Sequence, residues 1–274
     1  MKKTQSCFDG AVDRLSGLSP AERRACEIVE HCLGVAAHPW DVAGRQGAVD
    51  AILRYPDGVT AAFEVTRLGD EGKFQLDSIL ARDDHEWPLP GDWMWSVHIG
   101  SARDVPKLKA VYEDVIMWCE PRGITRPRDV GWGIRVPTAV EWLIQESSSH
   151  MTGYPDLAHR SFAMVVPRGS GGTVDHQLAG FGCALAEAFA SRPHIADHFE
   201  KLARAEHNHR HLFVILHGDV LGFGIMYELS TGTTLPTAIP PVPQHISDLW
   251  LVPEYSRRVL HWCRTTNGWQ NFTV

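Results

Sequence analysis

The chain has 274 residues, of which 44% are hydrophobic, so it can bury the core of one large domain or two small ones. Its formal charge of −7 argues against a protein that coats nucleic acid or an anionic membrane non-specifically. The six scattered cysteines form no C-x-x-C pair, no apolar run follows the N-terminal lysines, and no segment reaches membrane-spanning length. These features indicate a cytoplasmic protein without membrane contact.

Helix and strand patterns alternate in the first hundred residues. Residues 19–33 predict a helix, because Ser19 is a suitable N-cap, Glu22 completes a capping box and Gly34 ends the helix. The segments that follow are a strand over 35–42, a hairpin over 48–66, a helix over 71–83 and a strand over 92–100. The predicted order is helix, three strands, helix, strand, and it defines a first domain of residues 1–100.

The remaining residues, 101–274, predict a mixed α+β region. The predicted helices cover 104–120, 174–191 and 194–205. The predicted strands cover 161–166, 211–218, 221–229 and 247–252. The proline-rich segment 235–244 predicts a loop. We expect this region to supply substrate choice or contacts to a partner, including a second copy in a homodimer.

The hairpin carries two acidic residues whose orientation depends on its turn. In YPDGV, residues 55–59, Pro56 and Gly58 suit a three-residue loop with a glycine bulge. The first and last residues of this segment then face each other, and the register places Asp50 directly opposite Glu64. A two-residue Asp-Gly loop would put the two acids on opposite faces of the sheet. Pro56 favours the three-residue loop.

Two facing carboxylates on one sheet face require an explanation. Like charges directly opposite each other destabilise a sheet. They become favourable when a divalent cation lies between them, because hard cations bind carboxylate oxygens. The alternative is an exposed sheet face on which both carboxylates are solvated.

The surrounding pattern, VD at Asp50 and FEVT at Glu64 to Thr66, resembles the PD-(D/E)xK nuclease superfamily. The resemblance covers residues 19–100 and implies an α/β fold with a restriction-endonuclease-like core. It implies a metal-dependent endonuclease that cleaves DNA or RNA, with Asp50 and Glu64 holding Mg²⁺ or Mn²⁺. It also offers a glutamate on the first helix, Glu27 or Glu30, and Glu30 would act through a bridging water.

The sequence departs from the family pattern at one position. Thr66 stands where the family usually has lysine, and its hydroxyl shares the face of Glu64 but carries no charge. In some members of the superfamily the following helix supplies the cation, so the resemblance makes Lys73 the candidate to position the nucleophile. Gln75 is a polar helper on the same helix. The alternative for Lys73 is a solvated lysine at a helix start.

Three functional hypotheses remain open from the sequence. The first is a metal-dependent nuclease. The second is a non-catalytic relative that acts as a structural or partner-binding protein, which Thr66 and the acidic net charge favour. The third is a metal-dependent small-molecule hydrolase that uses the histidine-rich C-terminal half.

Residues 119–135 combine arginines with an aromatic residue, a pattern that suits phosphate contact with base stacking. The candidate nucleic-acid contacts are Arg122, Arg126, Arg128, Arg135 and Trp132. Glu120 and Asp129 dilute the positive charge, and a salt-bridged loop is the alternative.

Histidines cluster in two places. The alternating set is His207, His209 and His211, next to Glu206, and the helical pair is His194 and His198. They would form a metal site only if they converged, and surface or helix-end histidines are the alternative. The glycine-rich segment 165–178 predicts a connector or, alternatively, a phosphate cradle without a Walker ending.

Overall fold

The computed structural model describes residues 14–41, 48–131, 133–157, 162–169, 171–218, 220–254 and 256–274. The chain forms two compact units, unit 1 from Met1–Leu68 and Gly172–Val274, and unit 2 from Gly69–Gly171. The structure therefore divides the chain at residues 68 and 172, and not at residue 100 as the sequence predicts. The chain leaves unit 1 after Leu68 and returns to it at Gly172, inside the glycine-rich segment for which a connector was the favoured prediction.

Helices and strands are distributed over both units. Within the described residues the helices are α1 (Pro20–Leu33), α2 (Glu71–Leu80), α3 (Val105–Cys119), α4 (Thr138–Gln145), α5 (Phe181–Ala190), α6 (Pro193–Arg204) and α7 (Phe223–Thr231). The strands are β1 (Ala36–Pro39), β2 (Ala51–Arg54), β3 (Thr60–Leu68), β4 (Glu86–Pro88), β5 (Met94–Ile99), β6 (His150–Tyr154), β7 (Phe162–Pro167), β8 (His209–Leu216), β9 (Asp248–Pro253), β10 (Arg258–Cys263) and β11 (Gly268–Thr273). None of the helices in these ranges is both long and apolar enough for a membrane crossing.

Unit 1 is built on a seven-stranded sheet in the order β1-β2-β3-β8-β9-β10-β11. The first three strands are antiparallel, β8 lies parallel to both β3 and β9, and β10 and β11 return antiparallel. Helix α1 packs against one face, where Val29 meets Phe63 in a shared core. Helices α5 and α6 contribute to the core on the other face, where Leu202 joins Ala62 and Leu212. The unit therefore combines helices with a mixed sheet, which confirms the predicted mixture of α and β structure.

Unit 2 has a separate four-stranded sheet in the order β4-β7-β5-β6, which packs with α2, α3 and α4. The prediction that residues 71–100 complete the first domain is therefore wrong, because α2 and β5 belong to unit 2. In unit 1, β3 lies between β2 and β8, and it is contacted by α1 and by α6. Unit 1 therefore has α1, then β1, β2 and β3, then the two helices α5 and α6, and then β8, where the sequence predicts a single helix between the third and fourth strands.

The prediction of a strand over 221–229 is also wrong, because this segment forms most of α7. Alternating glycine and apolar residues mimic a strand, but the buried pair Met226 and Leu229 has helical spacing. Gly224 packs so close to Thr173 that a Cβ would lie 2.1 Å from the Thr173 carbonyl oxygen. The elements that the sequence did not predict are α4, β4, β6, β10 and β11.

The hairpin between β2 and β3 has the predicted three-residue loop. The Tyr55 N–H donates to the Val59 carbonyl at 2.9 Å, and Gly58 has a φ of +86°. Ala51 pairs with Phe63, and the same register continued by one residue places Asp50 opposite Glu64. Local turn chemistry therefore determines which two acids meet.

The left-handed conformation of Gly58 yields a first prediction. Gly58→Ala should lower the free energy of unfolding by about 1–2 kcal/mol, because a Cβ is disfavoured at positive φ even where space is open. Calorimetric or urea unfolding measures the change. Gly131→Ala is the matched control, since Gly131 is equally open but has no positive φ. Equal effects of the two substitutions would contradict the proposed role of the turn.

Candidate functional site

Asp50 and Glu64 lie on the sheet face that carries α6. Glu64 is fully buried and Asp50 is 7% exposed. The same face holds Ile52 and Ala62, which pack with the core formed by α5 and α6. The alternative of two solvated carboxylates on an open sheet is therefore excluded.

The backbone holds the two carboxylates in place. Oδ2 of Asp50 accepts the Val65 N–H at 2.7 Å, and the Asp50 N–H donates to Oε2 of Glu64 at 3.3 Å. Burial and the neighbouring charge of Glu64 raise the pKa of Asp50 to about 7, against the opposing effect of Lys201. Asp50 therefore changes charge near neutral pH, whereas an ordinary aspartate does so near pH 4.

Helix α6 supplies two nitrogen donors to Glu64. Nδ1 of His198 lies 2.6 Å and Nζ of Lys201 lies 2.9 Å from Oε1 of Glu64. Their spacing of three residues puts both side chains on one face of the helix. Burial acts against the charge of Lys201, but the hydrogen bond and charge of Glu64 outweigh it and raise the pKa of Lys201. The site therefore contains two acids, an ammonium and an imidazole.

Other candidate residues on these elements have different surroundings. Thr66 is buried on β3, on the Glu64 face as predicted. Glu30 is on α1, which packs on the opposite face, and its Oε1 accepts the Ala37 N–H and lies 2.6 Å from Arg14. The predicted role of Glu30 at a water near Asp50 is therefore corrected, since its carboxylate is committed to these partners. Glu27, its alternative, forms a surface pair with Arg24.

The predicted cation, Lys73, lies on a different helix from the lysine that contacts Glu64. Lys73 and Gln75 lie on α2, which belongs to unit 2. The ammonium bound to Glu64 comes from Lys201 on α6. In the sequence, His198 stands out only by its helical spacing from His194, and Lys201 does not stand out at all. No local signal connects either of them to a strand more than a hundred residues earlier.

The arginine-rich segment lies in unit 2. Arg128 donates to the carbonyl oxygens of Ile144, Ser147 and Ser149, so its guanidinium is committed to the fold. Arg122 donates to the Trp118 carbonyl and stacks on that indole. Of the remaining candidates, Arg126 and Arg135 are exposed. Trp132 lies outside the described residues.

A second buried polar cluster lies on the opposite face of the unit 1 sheet. Asp248 lies 3.2 Å from Nε2 of His211 and 2.8 Å from Nε2 of His261. Trp250 donates its indole N–H to Nδ1 of His211 at 3.1 Å, which leaves the proton of neutral His211 on Nε2, facing Asp248. Burial lowers the pKa of His211 to about 4, and the two imidazoles outweigh burial to lower the pKa of Asp248 to about 2.

The predicted histidine sets do not converge. His211 joins Asp248, whereas His207 contacts Thr60, and His194 contacts the Arg67 carbonyl. Across the described ranges, no group of three or more His, Cys, Asp or Glu side chains is arranged to hold a metal ion. Mg²⁺ does not need three, since one or two carboxylates, waters and substrate phosphates commonly hold it. The oxygen donors Asp50 and Glu64 fit that pattern.

Known proteins offer no match. Neither protein-family models, nor curated proteins, nor solved structures match this chain. Its function is therefore inferred from the chemistry of its side chains.

The raised pKa of Asp50 yields a second prediction, for the substitution Asp50→Asn. The folded state holds this proton more tightly than the unfolded chain does, so the stability it contributes is present below pH 4 and lost as pH rises through about 7. Asp50→Asn should therefore raise the free energy of unfolding by roughly 1–3 kcal/mol at pH 8. The gain should shrink as pH falls through about 7 and vanish only below pH 4, where Asp50 is protonated in both the folded and the unfolded chain, and melting temperatures of both proteins across this pH range measure it.

Asp248→Asn is the matched control for this prediction. It removes a charge that two imidazoles stabilise, so it should lower the free energy of unfolding by about 2–3 kcal/mol at pH 7. Both substitutions replace an aspartate with an asparagine, but they are expected to change the free energy of unfolding in opposite directions. If Asp50→Asn destabilised the protein at pH 8, the two carboxylates of Asp50 and Glu64 would not be an unfavourable pair.

Proposed function

We propose that this protein is a metal-dependent nuclease that hydrolyses phosphodiester bonds in DNA or RNA, with Mg²⁺ or Mn²⁺ as its cofactor. One observation carries the proposal: two buried carboxylates on neighbouring strands meet a lysine and a histidine from one helix. A like-charged pair in this position is a cost to the fold that cation binding would relieve.

The order of elements around the site supports the same proposal. Helix α1, strands β1 to β3 and strand β8 match the helix–three strands–helix–strand order of the restriction-endonuclease-like core, with two helices, α5 and α6, where that core has one. In this interpretation unit 2 is an insertion between β3 and α5. The lysine that is missing at Thr66 would then be replaced by Lys201, from the second of these two helices.

Each side chain has a distinct role in the proposed reaction. The bound divalent ion would lower the pKa of a water and neutralise charge that develops on the phosphate. Asp50 and Glu64 would hold that ion, and the ammonium of Lys201 would orient the attacking water and balance phosphate charge. Nδ1 of His198 faces Oε1 of Glu64, and with its proton on Nδ1 the imidazole would have Nε2 available to accept a proton.

A specific observation favours the second hypothesis, a non-catalytic relative that acts as a structural or partner-binding protein. Oε1 of Glu64 already accepts from both His198 and Lys201, so this buried carboxylate is satisfied within the chain. In a protein that had lost catalysis, the cluster would serve only to fix α6 on the sheet. Absence of both metal binding and cleavage would favour this alternative.

Removal of either carboxylate is the direct test of the nuclease proposal. Asp50→Asn and Glu64→Gln should each abolish metal-dependent cleavage of labelled duplex DNA, single-stranded DNA and RNA, because each removes a metal ligand. Gel assays with Mg²⁺ or Mn²⁺, repeated with a chelator, measure the loss. Glu27→Gln, at an exposed acid of α1, is the matched control and should cleave normally. Cleavage by Asp50→Asn at the wild-type rate would remove Asp50 from the site.

A comparison of two lysines tests the assignment of the cation. Lys201→Met should lower the cleavage rate by roughly 10²-fold or more, since a positioned ammonium is lost beside Glu64. Lys73→Met, on α2 in unit 2, should leave the rate unchanged. Single-turnover kinetics with saturating metal separate these effects from metal affinity. If Lys73→Met lowered the cleavage rate and Lys201→Met did not, Lys73 would be the residue that positions the nucleophile, as the sequence predicts.

A further inference from the structure

A cavity of about 500 Å³ in unit 1 adjoins the Asp50–Glu64 site. Trp40, Val49, Ile52, Lys201 and Arg204 are among its lining residues. A cavity of this size falls in the range that small organic ligands occupy.

The cavity is physically connected to the two carboxylates. Lys201 lines it and also contacts Glu64 at 2.9 Å. Trp40 lines it as well, and the Trp40 backbone N–H donates to the Asp50 carbonyl at 2.9 Å. A molecule bound here would therefore lie next to the proposed site of cleavage.

The lining has two chemical characters. Trp40 is 43% exposed, and Val49 and Ile52 are buried side chains that add apolar surface. Lys201 and Arg204 add positive charge, which Glu206, the one acid among the described lining residues, offsets only in part. Arg204 also forms a surface pair with Glu200, and such an exposed pair is weak enough to yield to a phosphate.

Aromatic stacking beside cations is the combination that binds a nucleobase together with its phosphate. We propose that this cavity binds one unpaired nucleotide of a single-stranded nucleic acid, with its base against Trp40 and its phosphate at Lys201 and Arg204. The proposal rests on the proposed nuclease function and narrows its substrate class. The phosphodiester that follows the bound base would then lie at Asp50 and Glu64.

Base accessibility is the reason for a single-strand preference. In a duplex each base is paired and stacked, and its removal from the helix costs energy. An unpaired base can enter the cavity without that cost. The preference for single strands should therefore depend on Trp40. Contacts to phosphate should not affect this preference, because single strands and duplexes both carry phosphates.

Binding measured without a divalent metal tests the proposal independently of catalysis. Fluorescein-labelled single strands of about 12 nucleotides, DNA and RNA, and the matching DNA duplex are titrated with protein in the presence of a chelator. Trp40→Ala should weaken single-strand binding roughly five- to hundredfold and leave duplex binding unchanged. Trp40→Phe, which keeps a stacking ring, should restore most of the affinity.

Tyr227→Ala is the matched control, because Tyr227 is 46% exposed on α7 and is not among the lining residues. Circular dichroism verifies that each variant is folded. Equal loss of duplex and single-strand binding by Trp40→Ala, no loss at all, or no single-strand binding by the wild type would overturn the proposal. Each of these results leaves the cleavage assays on Asp50 and Glu64 to decide the nuclease function separately.

Discussion

Two carboxylates buried side by side in the larger sheet are the constraint on which the rest of this structure depends. The hairpin register brings Asp50 opposite Glu64, and α6 and the core around it cover both from solvent. Only Glu64 receives strong compensation, from His198 and Lys201. The raised pKa of Asp50 reflects the remaining imbalance. Another buried acid, Asp248, shows the opposite result because two imidazoles face it.

The parts of this site that the sequence predicts are those set by short-range rules. The capping box at Ser19 and the glycine after Leu33 fix α1 within one residue of its predicted ends. Pro56 and Gly58 determine the loop, and loop length determines which side chains share a face. These interactions span only a few residues, so the pattern of residue types is enough to identify them.

The parts that the sequence did not predict depend on distant pairing. The helix that follows β3 in the chain, α2, belongs to unit 2, whereas the helix that brings nitrogen donors to β3 is α6. Lys201 and His198 reach Glu64 only through the parallel pairing of β3 with β8. His261 and Asp248 meet only because β9 and β10 pair, and β10 was not predicted. Nothing within a local window distinguishes these partners from ordinary surface residues.

The insertion also has a consequence for biosynthesis. Strand β3 leaves the ribosome complete at Leu68, but its parallel neighbour begins at His209, after the whole of unit 2. At usual translation rates this interval lasts on the order of ten seconds. During that time one edge of β3, with the buried acid Glu64 in its middle, has no neighbouring strand, and exposed strand edges promote aggregation. A charged side chain on an edge strand is one of the devices that discourage such pairing, so Glu64, which shapes the finished site, would also act against aggregation of the nascent chain.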